Sequence, residues 1–157
     1  EPEILARAVK RAHGFFKSKL KDARAVQEAM DRFMPDLAGH GLKRADLVIE
    51  AIVEKVGPKQ ELFRMLEQKV RPQALLASNT SSIPLEVIGE SLKDPSRLVG
   101  LHFFNPVAKM QLVEIVRGAQ TSEAALARAR AFTGAIERLP LDGKSSPGFL
   151  VNRILMP

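Results

Sequence analysis

The run Leu47 to Val53, Leu-Val-Ile-Glu-Ala-Ile-Val, does most to limit what this chain can become. It is short, almost continuously apolar, rich in β-branched side chains, and bounded by Asp46 and Glu54. Such a run has no polar face to turn to water, so it reads as a strand buried on both faces. Burial on both faces requires helices above and below, and the residues that follow supply them. Pro58 opens a helix with Leu62, Phe63, Leu66 and Val70 in a stripe, Leu75 to Ser78 is a second short buried strand, and Pro84 to Leu92 is a short helix. Leu98 to Phe104 and Leu112 to Val116 read as further strands, and a helix from Ser122 to Glu137 carries Leu126, Ala129, Phe132 and Ile136. Strands alternating with helices at this spacing predict an α/β fold with a largely parallel sheet.

Ahead of this alternation the pattern is helical. Leu5, Ala8, Val9, Ala12, Phe16 and Leu20 fall on one face of a helix from Pro2 to about Lys21, and Val26, Ala29, Met30 and Phe33 repeat at helical spacing after Asp22. A helical pair over residues 1–35 is therefore expected, with Pro35 ending it or opening an edge strand. The α/β core is expected over 45–142. Gly143 to Pro147 reads as a loop in which Ser146 caps a helix from Pro147 to Ile154 or beyond, interrupted at Pro157. An apolar helix with no partner element after it predicts a further domain beyond residue 157 in a longer parent protein.

Composition removes several function classes. The chain has no Cys, so disulfides, thiolate metal sites and Cys nucleophiles are excluded, and only His13, His40 and His102 supply imidazole. No metal site is expected. The net charge of +6 is spread along amphipathic stretches, and there is no Trp or Tyr to stack on bases, so nucleic acid is not the expected partner. A multiply anionic small molecule, such as a dinucleotide or a CoA ester, suits the charge. No apolar run approaches the roughly 20 residues of a membrane span.

Three clusters combine apolar residues with hydroxyl, amide or imidazole groups near the end of an element: Asn79 to Ser82, His102 to Val107 with Glu114 beyond it, and Pro147 to Arg153. In an open α/β sheet ligands bind beyond the carboxyl ends of the strands, where such groups collect. His102 lies among Val99, Leu101, Phe103 and Phe104, and its ring needs a polar partner there. If the chain reverses after Asn105 and Pro106, Glu114 returns alongside it, and a carboxylate on one imidazole nitrogen leaves the other as a general base. Taken alone, the same residues also fit a satisfied structural histidine, a hydroxyl-capped turn at Asn79 to Ser82, and a surface Asn152.

The runs ADLVIEAIVEKVGPKQELF, LLASNTSSIPLEVI, GLHFFNPVAKMQLVEIV and SSPGFLVNRIL resemble the 3-hydroxyacyl-CoA dehydrogenase family in order and spacing, closely over Ala45 to Pro157 and loosely over Glu1 to Gly41. The flavour of SNTSSIPL and VRGAQTSE is similar to the bacterial fatty-oxidation multifunctional α-subunits. The resemblance implies a partial Rossmann-like, doubly wound sheet with a helix-turn-helix insertion, lacking the family's first two strands and its C-terminal helical domain. It implies NAD as cofactor, a 3-hydroxyacyl-CoA as substrate, and oxidation to the 3-oxoacyl-CoA in fatty-acid β-oxidation by a longer parent enzyme. His102 would be the base and Glu114 its orienter. Ser81 and Asn152 would hydrogen-bond the reacting oxygens, and Ala51, Glu54, Lys59, Ser81 and Asn105 would line the cofactor site.

No Gly-x-Gly-x-x-Gly run occurs in the 157 residues, so the phosphate turn and the ribose acid of the family are expected to lie upstream of Glu1. In the strand order 3-2-1-4-5-6, loss of the first two strands is expected to separate Leu47 to Val53 from the next strand and leave it with an unpaired edge. A homodimer, through the parent protein or through that edge, is the expected assembly. A cytoplasmic location is expected of a bacterial protein. The competing reading is a non-catalytic fragment that serves as a folding or assembly module.

Overall fold

The computed structural model describes residues 2–155. They fall into two compact units, one up to Gly41 and one from Leu42 onward. In the first, α1 (Pro2–Lys19) and α2 (Ala23–Asp31) are joined by a tight turn. The expected stripe of α1, Leu5, Ala8, Val9, Ala12 and Phe16, is its half-buried side, and α2 buries Val26 and Ala29. The Asp22 carboxylate caps α2 by accepting from the Arg24 and Ala25 amides at 2.7 and 3.1 Å, satisfying two of the donors that a helix start leaves free. Neither reading of Pro35 holds: α2 has ended at Asp31, and Pro35 lies in no strand.

The second unit is built on a five-stranded sheet: β1 (Leu47–Glu50), β2 (Leu75–Ser78), β3 (Leu98–Phe103), β4 (Leu112–Arg117) and β5 (Leu139–Lys144), side by side in chain order. β1, β2 and β3 are parallel, β4 runs antiparallel to β3, and β5 is parallel to β4. Helices α3 (Val56–Lys69), α4 (Leu85–Gly89) and α5 (Glu123–Ala135) cover the sheet, and α6 (Val151–Leu155) follows β5. The alternation of a strand splits the core between two faces. Phe63 and Leu66 of α3 and Leu85 and Ile88 of α4 pack on Leu76, Leu98 and Val116. Leu126 and Ala129 of α5 pack on Leu75, Ala77, Val99, Leu101, Val113 and Ile115 on the other.

Four expectations need correction. The sheet is not divided, because Leu47 to Glu50 pair in parallel register with Leu75 to Ser78; β1 has a strand neighbour on one side only among the described residues. β1 also stops at Glu50 rather than Val53. The Glu50 carboxylate accepts from the amide of Ile52 at 2.6 Å, which turns the chain out of the ladder and leaves Ala51 to Val53 exposed. Residues 139–144 form a strand where a loop was expected from Gly143. Being an edge strand it is mostly exposed, so it shows no apolar run, and it tolerates Pro140 because only one side needs ladder donors. Finally, α6 begins at Val151, four residues after Pro147, and the Ser146 hydroxyl donates to the Lys144 carbonyl at 3.5 Å instead of capping a helix. The intervening Gly148 and Phe149 have φ of 74° and 48°, which no helix contains. The expected continuation to Pro157 lies outside the described residues.

Gly100 in β3 faces Val116 of β4, and a Cβ there would lie 2.7 Å from the Val116 Cβ. Between two strands of a packed sheet neither backbone can retreat, so Gly100→Ala is expected to destabilise by roughly 1–3 kcal/mol. Urea denaturation of the two proteins would measure it, and an unchanged midpoint would contradict the close approach.

Candidate active site

The antiparallel register sets His102 directly opposite Glu114. Both side chains project on the face that carries Gly100 and Val116, where a histidine and a carboxylate on opposite strands are near neighbours. His102 Nδ1 lies 3.1 Å from Glu114 Oε2, with both groups buried. A carboxylate only accepts, so Nδ1 carries the proton and Nε2 is left as the ring's acceptor. The ring is enclosed by Phe104, with centroids 4.4 Å apart, and by Phe149, edge-on at 5.8 Å.

The second oxygen of Glu114 is used as well. The amides of Leu150 and Val151 donate to Oε1 at 2.6 and 3.3 Å, so this carboxylate ties the histidine to the start of α6. Gly143 on β5 makes room, since a Cβ there would stand 3.3 Å from the same oxygen. In the first turn of α6, Asn152 Nδ2 donates to the Ser81 carbonyl at 3.4 Å and thereby reaches the loop after β2.

That loop is organised by Glu54. Its Oε1 accepts from the Thr80 hydroxyl at 2.5 Å, from the Ser81 amide at 2.8 Å and from the Ser82 amide at 3.2 Å, while the Ser81 hydroxyl lies 3.4 Å away. Its Oε2 is 3.2 Å from Lys59 Nζ. Partial burial is the largest single influence on this carboxyl and opposes its ionisation, but the Thr80 hydroxyl, the Ser81 amide and the Lys59 ammonium together outweigh it and bring its pKa down to about 2. Asn79 fixes the other end of the loop, its Oδ1 accepting from the Phe103 amide at 2.8 Å.

His102, Glu114, Ser81 and Asn152 are thus linked through hydrogen bonds, and Glu54 and Lys59 join them through the loop. Ala51 and Asn105 are exposed beyond the carboxyl ends of β1 and β3 and make no hydrogen bond to the others among the described residues. The family described as "3-hydroxyacyl-CoA dehydrogenase, NAD binding domain" matches residues 1–145. The chain belongs to the 3-hydroxyacyl-CoA dehydrogenase family. It is similar to the fatty acid oxidation complex subunit alpha of Ectopseudomonas oleovorans, 40% identical over 141 residues that make up 90% of this chain and 20% of that protein. Among solved structures it resembles the 3-hydroxybutyryl-CoA dehydrogenase of Escherichia coli K12, with a TM-score of 0.93 and 37% identity over 98% of this chain and 34% of that one. The (S)-3-hydroxybutyryl-CoA dehydrogenase PaaH1 of Ralstonia eutropha is similar too, with a TM-score of 0.86 and 34% identity over 96% of this chain and 53% of that one. This member of the family therefore spans about a fifth of the length of the curated relatives it matches.

Three residues of this dehydrogenase-family chain gain importance only from the geometry. In the sequence Glu50 is one member of an apolar strand, yet its carboxylate is buried and holds the Lys59 ammonium at 2.6 Å. A lone acid inside LVIEAIV was the signal. The sequence predicts a loop at Gly143 and a helix at Phe149, because neither the fifth strand nor the left-handed backbone at Phe149 leaves a pattern in the residues.

The lowered Glu54 carboxyl has a consequence for stability. Its folded pKa lies below the unfolded value of 4.5, so its stabilisation is present above 4.5 and is lost as pH falls towards 2. Glu54→Gln is expected to be less stable than the wild type at neutral pH, with the gap closing as pH drops below 4.5. Urea midpoints of both proteins across that range would check it, and a gap independent of pH would contradict the assignment.

Proposed function

We propose that this chain forms the proton-transfer half and part of the cofactor wall of an NAD-dependent enzyme that oxidises (S)-3-hydroxyacyl-CoA to 3-oxoacyl-CoA in fatty-acid oxidation. The observation that carries it is the buried His102–Glu114 pair, hydrogen-bonded across two strands with Ser81 and Asn152 linked beside it. His102 Nε2 is free to accept the proton of the substrate 3-hydroxyl. Glu114 keeps Nδ1 protonated and stabilises the imidazolium that results. The Ser81 hydroxyl and the Asn152 amide would hydrogen-bond the oxygen on C3 and hold it against the imidazole.

The residues present suit part of NAD. Glu54, Ser81, Asn105 and the exposed backbone at Ala51 lie beyond the carboxyl ends of the strands, and their carboxylate, hydroxyl and amide groups match ribose hydroxyls and a carboxamide, whereas Lys59 is buried and supports this wall through its ion pair with Glu54. When bound, NAD supplies the acceptor for the hydride leaving C3. The pyrophosphate is different, since the 157 residues contain no Gly-rich turn to offer it a row of amides.

In the full-length protein, His102→Gln is expected to cut kcat for acetoacetyl-CoA reduction to less than about a tenth while NAD affinity stays unchanged. Glu114→Gln should lower kcat by roughly two to four orders of magnitude, since the imidazolium loses its carboxylate. A change confined to the KM for NAD would refute the roles given to both residues. The 157 residues by themselves are expected to bind NAD weakly, and low-micromolar binding in isothermal titration would show that a Gly-rich phosphate turn is not needed for affinity.

A further inference from the structure

We infer that Glu50 is a positioning residue, which acts through Lys59 and Glu54 to hold the Asn79–Ser82 loop at the site. Glu50 and Ser78 are register partners on adjacent parallel strands and share the sheet face that β3 uses for His102. Each oxygen of the Glu50 carboxylate is occupied: Oε1 accepts from Lys59 Nζ and from the Ile52 amide, both at 2.6 Å, and Oε2 accepts from the Ser78 hydroxyl at 2.6 Å. The Ser78 hydroxyl accepts in turn from the Thr80 amide at 3.2 Å, at the entrance to the loop.

A buried acid paired with a buried lysine is not by itself a reason for a role, because apolar residues of similar volume pack as well or better. What distinguishes this pair is that its ammonium is shared. Lys59, 1% exposed, also lies 3.2 Å from Glu54 Oε2, whose side chain is 36% exposed and would turn to water if released. Glu50 keeps Lys59 in place, Lys59 keeps Glu54 inward, and the other oxygen of Glu54 gathers Thr80, Ser81 and Ser82. The same carboxylate that turns the chain out of β1 after Glu50 therefore also determines where the Ser81 hydroxyl stands.

The consequence for turnover rests on the function proposed above, but the consequence for the loop does not, so both are measured in the full-length protein. Glu50→Gln is expected to speed hydrogen exchange of the Thr80–Ser82 amides about tenfold and to lower kcat about tenfold or more, with KM for the acyl-CoA changed less than about threefold. Lys59→Met should loosen the loop equally. The double variant Glu50→Gln/Lys59→Met, which removes both buried charges together, should be no looser than Lys59→Met alone, as two links in one chain require. It also keeps the test open if Glu50→Gln alone fails to fold. Unchanged loop exchange in Lys59→Met or in a folded Glu50→Gln, additive effects in the double variant, or a general rise across Leu47–Glu50 and Leu75–Ser78 would each overturn the inference. If the wild type shows no dehydrogenase turnover, the functional reading fails and loop exchange alone still decides the role of Glu50.

Discussion

The antiparallel pairing of β3 with β4 is the constraint on which the site depends. In a sheet otherwise parallel through β1, β2 and β3, one reversal after Asn105 brings a second strand back beside the third. Directly opposed residues in such a ladder project to the same face within side-chain reach, so His102 and Glu114 meet without any long-range fitting. A slip of one residue would send Glu114 to the opposite face from His102, against Leu126 and Ala129, where a carboxylate would find no partner. The apolar neighbours Val113 and Ile115, buried on that face, hold the register against such a slip.

Glu114 then extends the order beyond the sheet. One oxygen faces the imidazole and the other collects two amides at the start of α6, so that Asn152 is placed by the group that orients His102. Phe149 enters a left-handed conformation that bulky residues avoid, and its ring is buried against His102. Burying this aromatic ring and satisfying two amides offset that backbone cost.

A second network stands at the carboxyl ends of β1 and β2. Leaving one member of the Glu50–Lys59 pair alone would cost on the order of 3–5 kcal/mol, because the survivor would be a charge out of reach of water. The pair is tolerated because the Ser78 hydroxyl and the Ile52 amide satisfy the remaining lone pairs of Glu50. The two networks meet at Ser81: its amide and hydroxyl face Glu54, and its carbonyl receives Asn152. Relatives with 34–40% identity share this stretch of chain within longer proteins.

Local composition was enough to locate β1, β2, β3 and β4, the helical pair and α3 and α5, because buried strands and amphipathic helices leave strong periodic patterns. It also singled out His102 and Glu114, since polar groups in apolar strands stand out against their neighbours. Edge strand β5 left no such pattern, being mostly exposed and interrupted by Pro140. Nor did the turn at Gly148 and Phe149, whose backbone is held by contacts with Glu114 and His102 rather than by residue preference. Residue order alone sets which positions prefer strand, helix or burial, because those preferences act over a few neighbouring residues. It takes the packed fold for Glu50 to turn the chain at Ile52, for Lys59 to be shared between two carboxylates, and for one carboxylate to serve both His102 and α6. Whether near in the chain, as Glu50 and Ile52 are, or distant, as Glu114 and Leu150 are, these contacts gain their energies only once packing of the elements removes water as the competing partner.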